Sequence, residues 1–313
     1  MTDDLGKDNL KKFMFEGAPV RGELVELSST WQQVQSHRTY PPAVNTLLGE
    51  MLAAAALLSA NLKFNGAIVM QIHGDGPVRL LVVECDAELQ MRATAKFDSE
   101  AIIDASASLT ELVNLHGNGR FVITLDPKEK LPGQQAYQGV VPLDGESVAS
   151  VIENYMMRSE QLDTRLWLAA NGTVSRGLLL QKLPSTGGID APVDDDLTVW
   201  DRTVMLASTL QQTELLDTDI DTLMRRLFWE ETIRVFEPKH PSFRCSCSRE
   251  RVGNMLKMLG QPEVDSVLEE MGQVSIDCEF CGQHYAFDKI DCVQLFIAPD
   301  AATLVAVDAQ IKH

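Results

Sequence analysis

Four cysteines near the C-terminal end restrict this chain more than any other feature. Cys245 and Cys247 form a Cys-Ser-Cys pair, Cys278 and Cys281 form a Cys-Glu-Phe-Cys pair, and the stretch 248–277 separates the two. Two close pairs at this distance supply four ligands for one tetrahedral zinc ion per chain. The stretch 241–313 that carries them is too short to bury a large core, so a staple is expected. Structural zinc contributes roughly 10–16 kcal/mol of apparent binding free energy, against the ~5 kcal/mol that a core of this size supplies. A single residue between Cys245 and Cys247 departs from the two that a zinc ribbon normally has. Such a site is either a structural clamp or a switch.

Four thiolates around one divalent zinc leave a net local charge of −2, so donors must surround the sulfurs. The turn after Cys278, including the Gly282 N–H, is placed to donate. Arg244, Arg249 and Arg251 flank the first pair and add positive charge.

Composition narrows the partners. The 313 residues include 45 acidic and 27 basic side chains, a formal net charge of −18. Residues 241–313 alone carry 11 acidic and 6 basic groups. A field of this sign repels phosphate backbones, so nucleic acid is not an expected partner. No apolar run reaches the roughly 18 residues of a membrane span; the longest, from Met51 to Leu62, is Ala-rich. The acidic Met-Thr-Asp-Asp start does not read as a secretion signal. A cytoplasmic location follows, and there six cysteines point to metal or redox chemistry rather than to a disulfide framework.

The length suggests about two domains, and the pattern divides the chain into three parts. Residues 1–185 read as an α+β domain with mainly antiparallel sheets. Strands are expected at Val20–Leu27, Gly66–His73, Val78–Cys85, Leu89–Phe97, Arg120–Leu125 and Tyr137–Pro142. Helices are expected at Ser29–His37, Pro42–Ala60 and Glu146–Ser159. Asn171-Gly172 marks a hairpin between Thr164–Ala170 and Thr173–Leu183. Residues 186–240 read as an amphipathic helical connector. It opens with Gly187-Gly188 and an Asp194–Asp196 run, and holds 12 acidic and 5 basic residues. Ile220, Leu223, Met224, Leu227 and Phe228 repeat at helical spacing, and Trp200, Val204, Leu206 and Leu210 suggest an earlier helix. Residues 241–313 form the small four-cysteine zinc domain. In it Ser248 caps a helix to Leu259, a second helix runs from Pro262 to Gly272, and short strands occupy Val274–Asp277, His284–Phe287 and Cys292–Ile297.

The run from Phe236 through Arg251, Phe-Glu-Pro-Lys-His-Pro-Ser-Phe-Arg-Cys-Ser-Cys-Ser-Arg-Glu-Arg, is followed by Cys278-Glu-Phe-Cys-Gly-Gln. Together they resemble the redox-regulated heat-shock chaperone family of bacteria, the thirty-three-kilodalton chaperonins. Val20-Arg-Gly-Glu-Leu-Val and the Tyr40-Pro-Pro-Ala-Val entry to an Ala-rich helix are similar too. The resemblance implies a reduced, zinc-bound, inactive state. It implies two disulfides on oxidation, Cys245 with Cys247 and Cys278 with Cys281. Zinc then leaves, the connector and zinc domain lose order, and the chain dimerises and holds unfolding client proteins without ATP.

Two other readings stay open on the residues alone. One is a thiol–disulfide oxidoreductase using Cys278 and Cys281, which needs an exposed, low-pKa thiol of the kind found at a helix N-terminus. The other is a zinc adaptor that never switches. No nucleophile motif or paired-carboxylate constellation stands out, and the chain is not expected to be an enzyme. Cys85 and Cys292 read as core fillers, His73 and His116 as ordinary strand and turn residues, and His284 as a spare ligand to an already filled tetrahedron. Met224, Met255, Met258 and Met271 read as helix packing, and Gly74-Asp-Gly-Pro as a turn rather than a phosphate loop.

Overall fold

The computed structural model describes residues 8–62, 64–129, 136–184 and 198–297. The Gly187-Gly188 and Asp194–Asp196 features fall outside these residues. The chain folds into two compact units, divided between Arg244 and Cys245.

Two antiparallel sheets and one helix organise the first unit. The first sheet runs, in spatial order, Ile233–Val235, Asn9–Phe15, Val20–Leu27, Ser175–Lys182 and Thr164–Ala170. The second runs Ser242–Phe243, Gln90–Phe97, Val78–Asp86, Gly66–His73, Arg120–Pro127 and Tyr137–Pro142. Among the described residues only the short Ser242–Phe243 strand pairs in parallel. Alternation makes strands such as Gly66–His73 readable, because one face meets a core, whereas Ser175–Lys182 is buried on both faces. The α+β expectation with mainly antiparallel sheets holds.

The helix Pro42–Ser59 packs against strands of both sheets, and 14 of its 18 residues are buried. Burial of most of its surface explains its composition: Ala where backbones approach, Leu and Met where space remains, with Asn45, Thr46 and Glu50 on the one face that stays partly open. By length and composition this helix meets the test for a membrane span, which corrects the expectation that no run would. It is instead the core helix of the first unit, 78% buried.

Several local expectations give way to specific chemistry. The Asn171-Gly172 turn is a four-residue loop between Ala170 and Ser175, closed because the Asn171 side-chain oxygen accepts from the N–H groups of Thr173 and Val174. Such Asx bonding competes with the two-residue turn that an Asn-Gly pair suggests. The helix expected through Ser159 is α-helical at Val148–Tyr155 and continues as a π-turn to Glu160. Asn9–Phe15 is a strand that was not expected, because Lys11-Lys12 breaks its apolar pattern. Lys12 donates to the Ala60 carbonyl and Asn61, and Lys11 pairs with Asp221 at 2.6 Å.

The segment after the first sheet forms three short helices, Val199–Ala207, Gln212–Asp217 and Ile220–Leu227. Their apolar faces cover the outer face of the first sheet. Ile220, Leu223, Met224, Leu227 and Phe228 are all buried and pack with Phe13, Phe15, Leu24, Leu178 and Leu180. Phe228 meets Phe13 and Phe15 with ring centroids 5.6 and 5.2 Å apart. In the first of these helices Thr203 and Ala207 supply the buried face and Leu206 is exposed. One polar anchor is added: the Arg176 guanidinium donates to the carbonyls of Leu215, Leu216 and Thr218 and pairs with Glu26 at 2.6 Å. The chain then returns as Ile233–Val235 beside Phe13–Phe15, and Leu10 and Lys239 exchange backbone hydrogen bonds at 2.8 and 2.9 Å.

Two carboxylates withdrawn from water in this unit make its stability pH-dependent. Burial pushes Glu23 up to about 7, opposed by Lys12, Arg21 and a 2.5 Å hydrogen bond from Asn61. Desolvation alone pushes the half-buried Glu50 up to about 7. Both folded-state values lie above the ordinary carboxylate value, so the native state binds more protons than the unfolded one. Stability is therefore full below about pH 4.5 in respect of these groups, and falls as pH rises through 7. A shift of this size corresponds to at most about 3 kcal/mol per group. Chemical denaturation at pH 5.5 and pH 8.5 is expected to show a lower midpoint at pH 8.5, and Glu23→Gln is expected to flatten that slope. An unchanged slope in the variant would remove Glu23 as a cause.

Candidate metal centre

The second unit builds its site from a cap, a helix and a hairpin. Ser248 caps the helix Arg249–Leu259, its side chain accepting from the Arg251 N–H. Cys245 and Cys247 lie just ahead of that cap. A second helix spans Gln261–Met271 and ends on Gly272 at φ 78°, where glycine avoids the cost of a left-handed conformation. Val274–Asp277 and His284–Phe287 then form a hairpin in register Val274 to Phe287. Cys278 and Cys281 occupy its turn, where the Cys278 N–H donates to the Gln283 carbonyl and the Gly282 N–H to the Cys278 carbonyl.

The structure brings all four thiols together. Their sulfurs lie within 4.8 Å of one another. Two close contacts run between the pairs: Cys245 to Cys278 at 3.6 Å and Cys247 to Cys281 at 3.4 Å. A tetrahedron with zinc–sulfur bonds of about 2.3 Å has sulfur–sulfur edges of about 3.8 Å, so the cluster has the size that one such ion needs. Burial pushes the Cys281 thiol up, and hydrogen bonds shared with Cys247, Cys245 and Cys278 add to it, against a backbone N–H from Gln283. Four thiols this close resist ionising together, and a divalent cation at their centre would remove that penalty.

The surrounding donors differ from those expected. The Gly282 N–H is spent on the Cys278 carbonyl, and it is the Gln283 N–H that reaches the Cys281 sulfur. The Tyr285 hydroxyl donates to the Cys247 sulfur at 3.1 Å, a partner with no local sequence signal. The flanking arginines serve the scaffold. Arg249 pairs with Asp291 at 2.7 Å and lies 4.2 Å over the Phe287 ring, Arg251 donates to the Ser246 hydroxyl, and Arg244 donates to Gln90 at 2.6 Å. His284 pairs with Asp277 at 2.7 Å where the hairpin enters its turn and stands outside the four-thiol group. Neither Cys278 nor Cys281 starts a helix, since both sit in a hairpin turn, so neither has the helix N-terminus that usually lowers the pKa of an oxidoreductase thiol.

Packing beneath the cluster is thin. Leu256, Val264, Val274, Phe287 and Cys292 form the buried core of this unit among the described residues. The strand expected at Cys292–Ile297 is instead a helix, Lys289–Phe296. Asp288 starts it with a reciprocal bond to Asp291, and Cys292, Leu295 and Phe296 turn inward at helical spacing. Met255, Met258 and Met271 are exposed rather than packed, Met258 by 82%; only Met224 is buried. Cys85 is fully buried in the first unit, its thiol pushed up to about 12 by burial, and Cys292 is 1% exposed, so both are core fillers. His73 and His116 are exposed, at a strand end and in a turn. Asp75 of the Gly74–Pro77 turn accepts from the His116 and Asn118 N–H groups.

Comparison with known proteins places this arrangement. The family described as Hsp33 protein matches residues 8–288, which takes in all four cysteines. This chain belongs to the Hsp33 family. A 33 kDa chaperonin of Chromobacterium violaceum is 49% identical over 289 residues, covering 92% of this chain and 94% of that protein. One from Methylobacillus flagellatus is 47% identical over 290 residues with the same coverage. The crystal structure of the 33 kDa chaperonin, a heat shock protein 33 homolog, from Thermotoga maritima superposes with a TM-score of 0.74 at 19% identity, over 96% of this chain and 99% of that one. The last comparison bears on the fold alone. The Hsp33 relatives are named as chaperonins, not as enzymes, and this chain is a chaperone of that family.

Proposed function

We propose that this protein is a redox-regulated, ATP-independent holdase whose switch is the four-thiol cluster. The gathering of Cys245, Cys247, Cys278 and Cys281 within 4.8 Å, in a chain of this family, carries the reading. One zinc per chain, when bound, holds the four sulfurs as thiolates and ties the start of the second unit to its hairpin turn. Reaction of each pair with peroxide joins two sulfurs, Cys245 to Cys247 and Cys278 to Cys281. Each step transfers two electrons to the peroxide, which takes two protons from solvent and leaves as two waters. A disulfide sulfur is a poor zinc ligand, so oxidation leaves the small core of Leu256, Val264, Val274 and Phe287 to hold the unit alone.

On this reading the functional parts are a chaperone domain of residues 1–185, a metastable connector of 186–240 and a redox-switch domain of 241–313. Loss of the second unit weakens the connector, whose buried stripe and the sheet face beneath it become apolar surface for unfolding clients. The oxidised chain forms a homodimer. It works in the cytoplasm, where thiols start reduced, and binds neither nucleic acid nor membrane.

Counting metal tests this. Peroxide together with mild heat is expected to release one zinc per chain, consume four thiols, shift the protein to a dimer on gel filtration and suppress aggregation of a heat-denatured client. Retention of the metal through activation would leave a structural adaptor and overturn the switch.

A further inference from the structure

We propose that the first unit holds a binding site for a small organic cation, an alkylammonium or guanidinium head on a short alkyl stem, in the cavity where Glu50 of the core helix faces the connector. Glu50 is the one charged residue in the 18-residue helix Pro42–Ser59. Among the described residues it makes no hydrogen bond or ion pair. A half-buried charge without a partner costs stability, and a local rule broken without compensation marks a functional position.

The surroundings say what would compensate it. Glu50 lines two adjoining cavities of about 380 and 200 Å³, which also share Ser147 and Gln212. Ser147 and Gln212 offer neutral acceptors beside the carboxylate, while Leu47, Leu109 and Val148 offer apolar wall to a stem. Among the described residues, the only other charged side chain on either lining is Glu146, of the same sign. A divalent metal would need more oxygen ligands at short range than one half-buried carboxylate supplies, and the cavities are much larger than a bare ion. A cation with N–H donors and a few carbons matches both charge and shape.

Gln212 opens the connector helix Gln212–Asp217, and Leu210, Gln211 and Leu215 form one wall of the smaller cavity. A ligand held between Glu50 and this helix binds more tightly when the connector is docked. By reciprocity it favours the docked state to the same extent. Binding itself stands apart from the proposed switch; only the consequence for the connector rests on it.

n-Butylammonium chloride titrated into the reduced, zinc-loaded full chain tests the site, by calorimetry and by fluorescence of Trp167, which lines the smaller cavity. Saturable binding is expected at pH 8, where Glu50 is ionised. It should weaken about tenfold at pH 6, where a group titrating near 7 is mostly protonated. Glu50→Gln should abolish it, and Gln212→Ala should weaken it with Glu50 in place. Sodium chloride and n-butanol should not substitute. Absence of saturable binding at pH 8, equal binding by Glu50→Gln, or equal effects of either control would overturn the site. Saturable binding that leaves cleavage of the reduced connector by protease unslowed would overturn the coupling alone.

Discussion

Replacing Cys278 by serine is expected to abolish zinc binding and to unfold residues 245–297 while leaving both sheets of the first unit intact. The magnitude follows from how little else holds that unit. Among the described residues five make up its buried core, and the metal contributes roughly 10–16 kcal/mol, more than the ~5 kcal/mol a core of this size supplies. Cys85→Ser is the matched control, since Cys85 lies buried on a strand of the second sheet. It should leave zinc content unchanged. Amide hydrogen exchange reads the difference by region: complete exchange of the hairpin Val274–Phe287 within the dead time, with protection retained at Met51–Leu57. Full protection of the hairpin in a metal-free Cys278→Ser chain would show that the core suffices and that the cysteines are not its staple.

Leu223→Asp is expected to undock the connector without any oxidation. Leu223 has no exposed surface and sits in the aromatic and aliphatic layer around Phe13 and Phe228. Loss of the Leu contacts together with burial of a carboxylate costs at least about 3 kcal/mol. Three short helices, of 9, 6 and 8 residues, cannot absorb that, because helices of this length owe their stability to the face they bury. Trypsin should then cut at Arg225 and Arg226 in the reduced protein, and anti-aggregation activity should appear with zinc still bound. A variant that is cleaved there yet inactive would separate connector release from chaperone activity. A variant that resists cleavage would show that Arg176 and the Lys11–Asp221 pair hold the connector unaided.

The strands and the site ligands were legible for different reasons. Gly66–His73 and Tyr137–Pro142 keep a two-residue period because only one face is covered, while Val20–Leu27 shows through its β-branched and apolar content, with Leu24 facing one core and Val25 and Leu27 the other. The four cysteines were legible because zinc chemistry demands them at close spacing. What escaped depends on partners far away in the chain. Lys11 and Lys12 make Asn9–Phe15 look polar, yet their charges are answered by Asp221 and the end of the core helix. Ile233–Val235 and Ser242–Phe243 are too short to show a period and exist because an open sheet edge receives them. Tyr285 donates to Cys247 across 38 residues, and nothing local separates it from an ordinary strand tyrosine. The Lys289–Phe296 helix was missed because Ile290, Val293 and Ile297 alternate loosely with polar residues while facing outward.

The return strand also sets a timetable for synthesis. Ile233–Val235 pairs with Phe13–Phe15, so the outer edge of the N-terminal strand stays open until most of the chain has been made. Contacts of such sequence separation close late and slow folding. During that interval a ribosome-bound chain presents an unpaired β edge flanked by Phe13 and Phe15, the kind of surface on which neighbouring nascent chains pair wrongly. A chaperone with this topology is therefore, while it is being made, a substrate of the kind it serves.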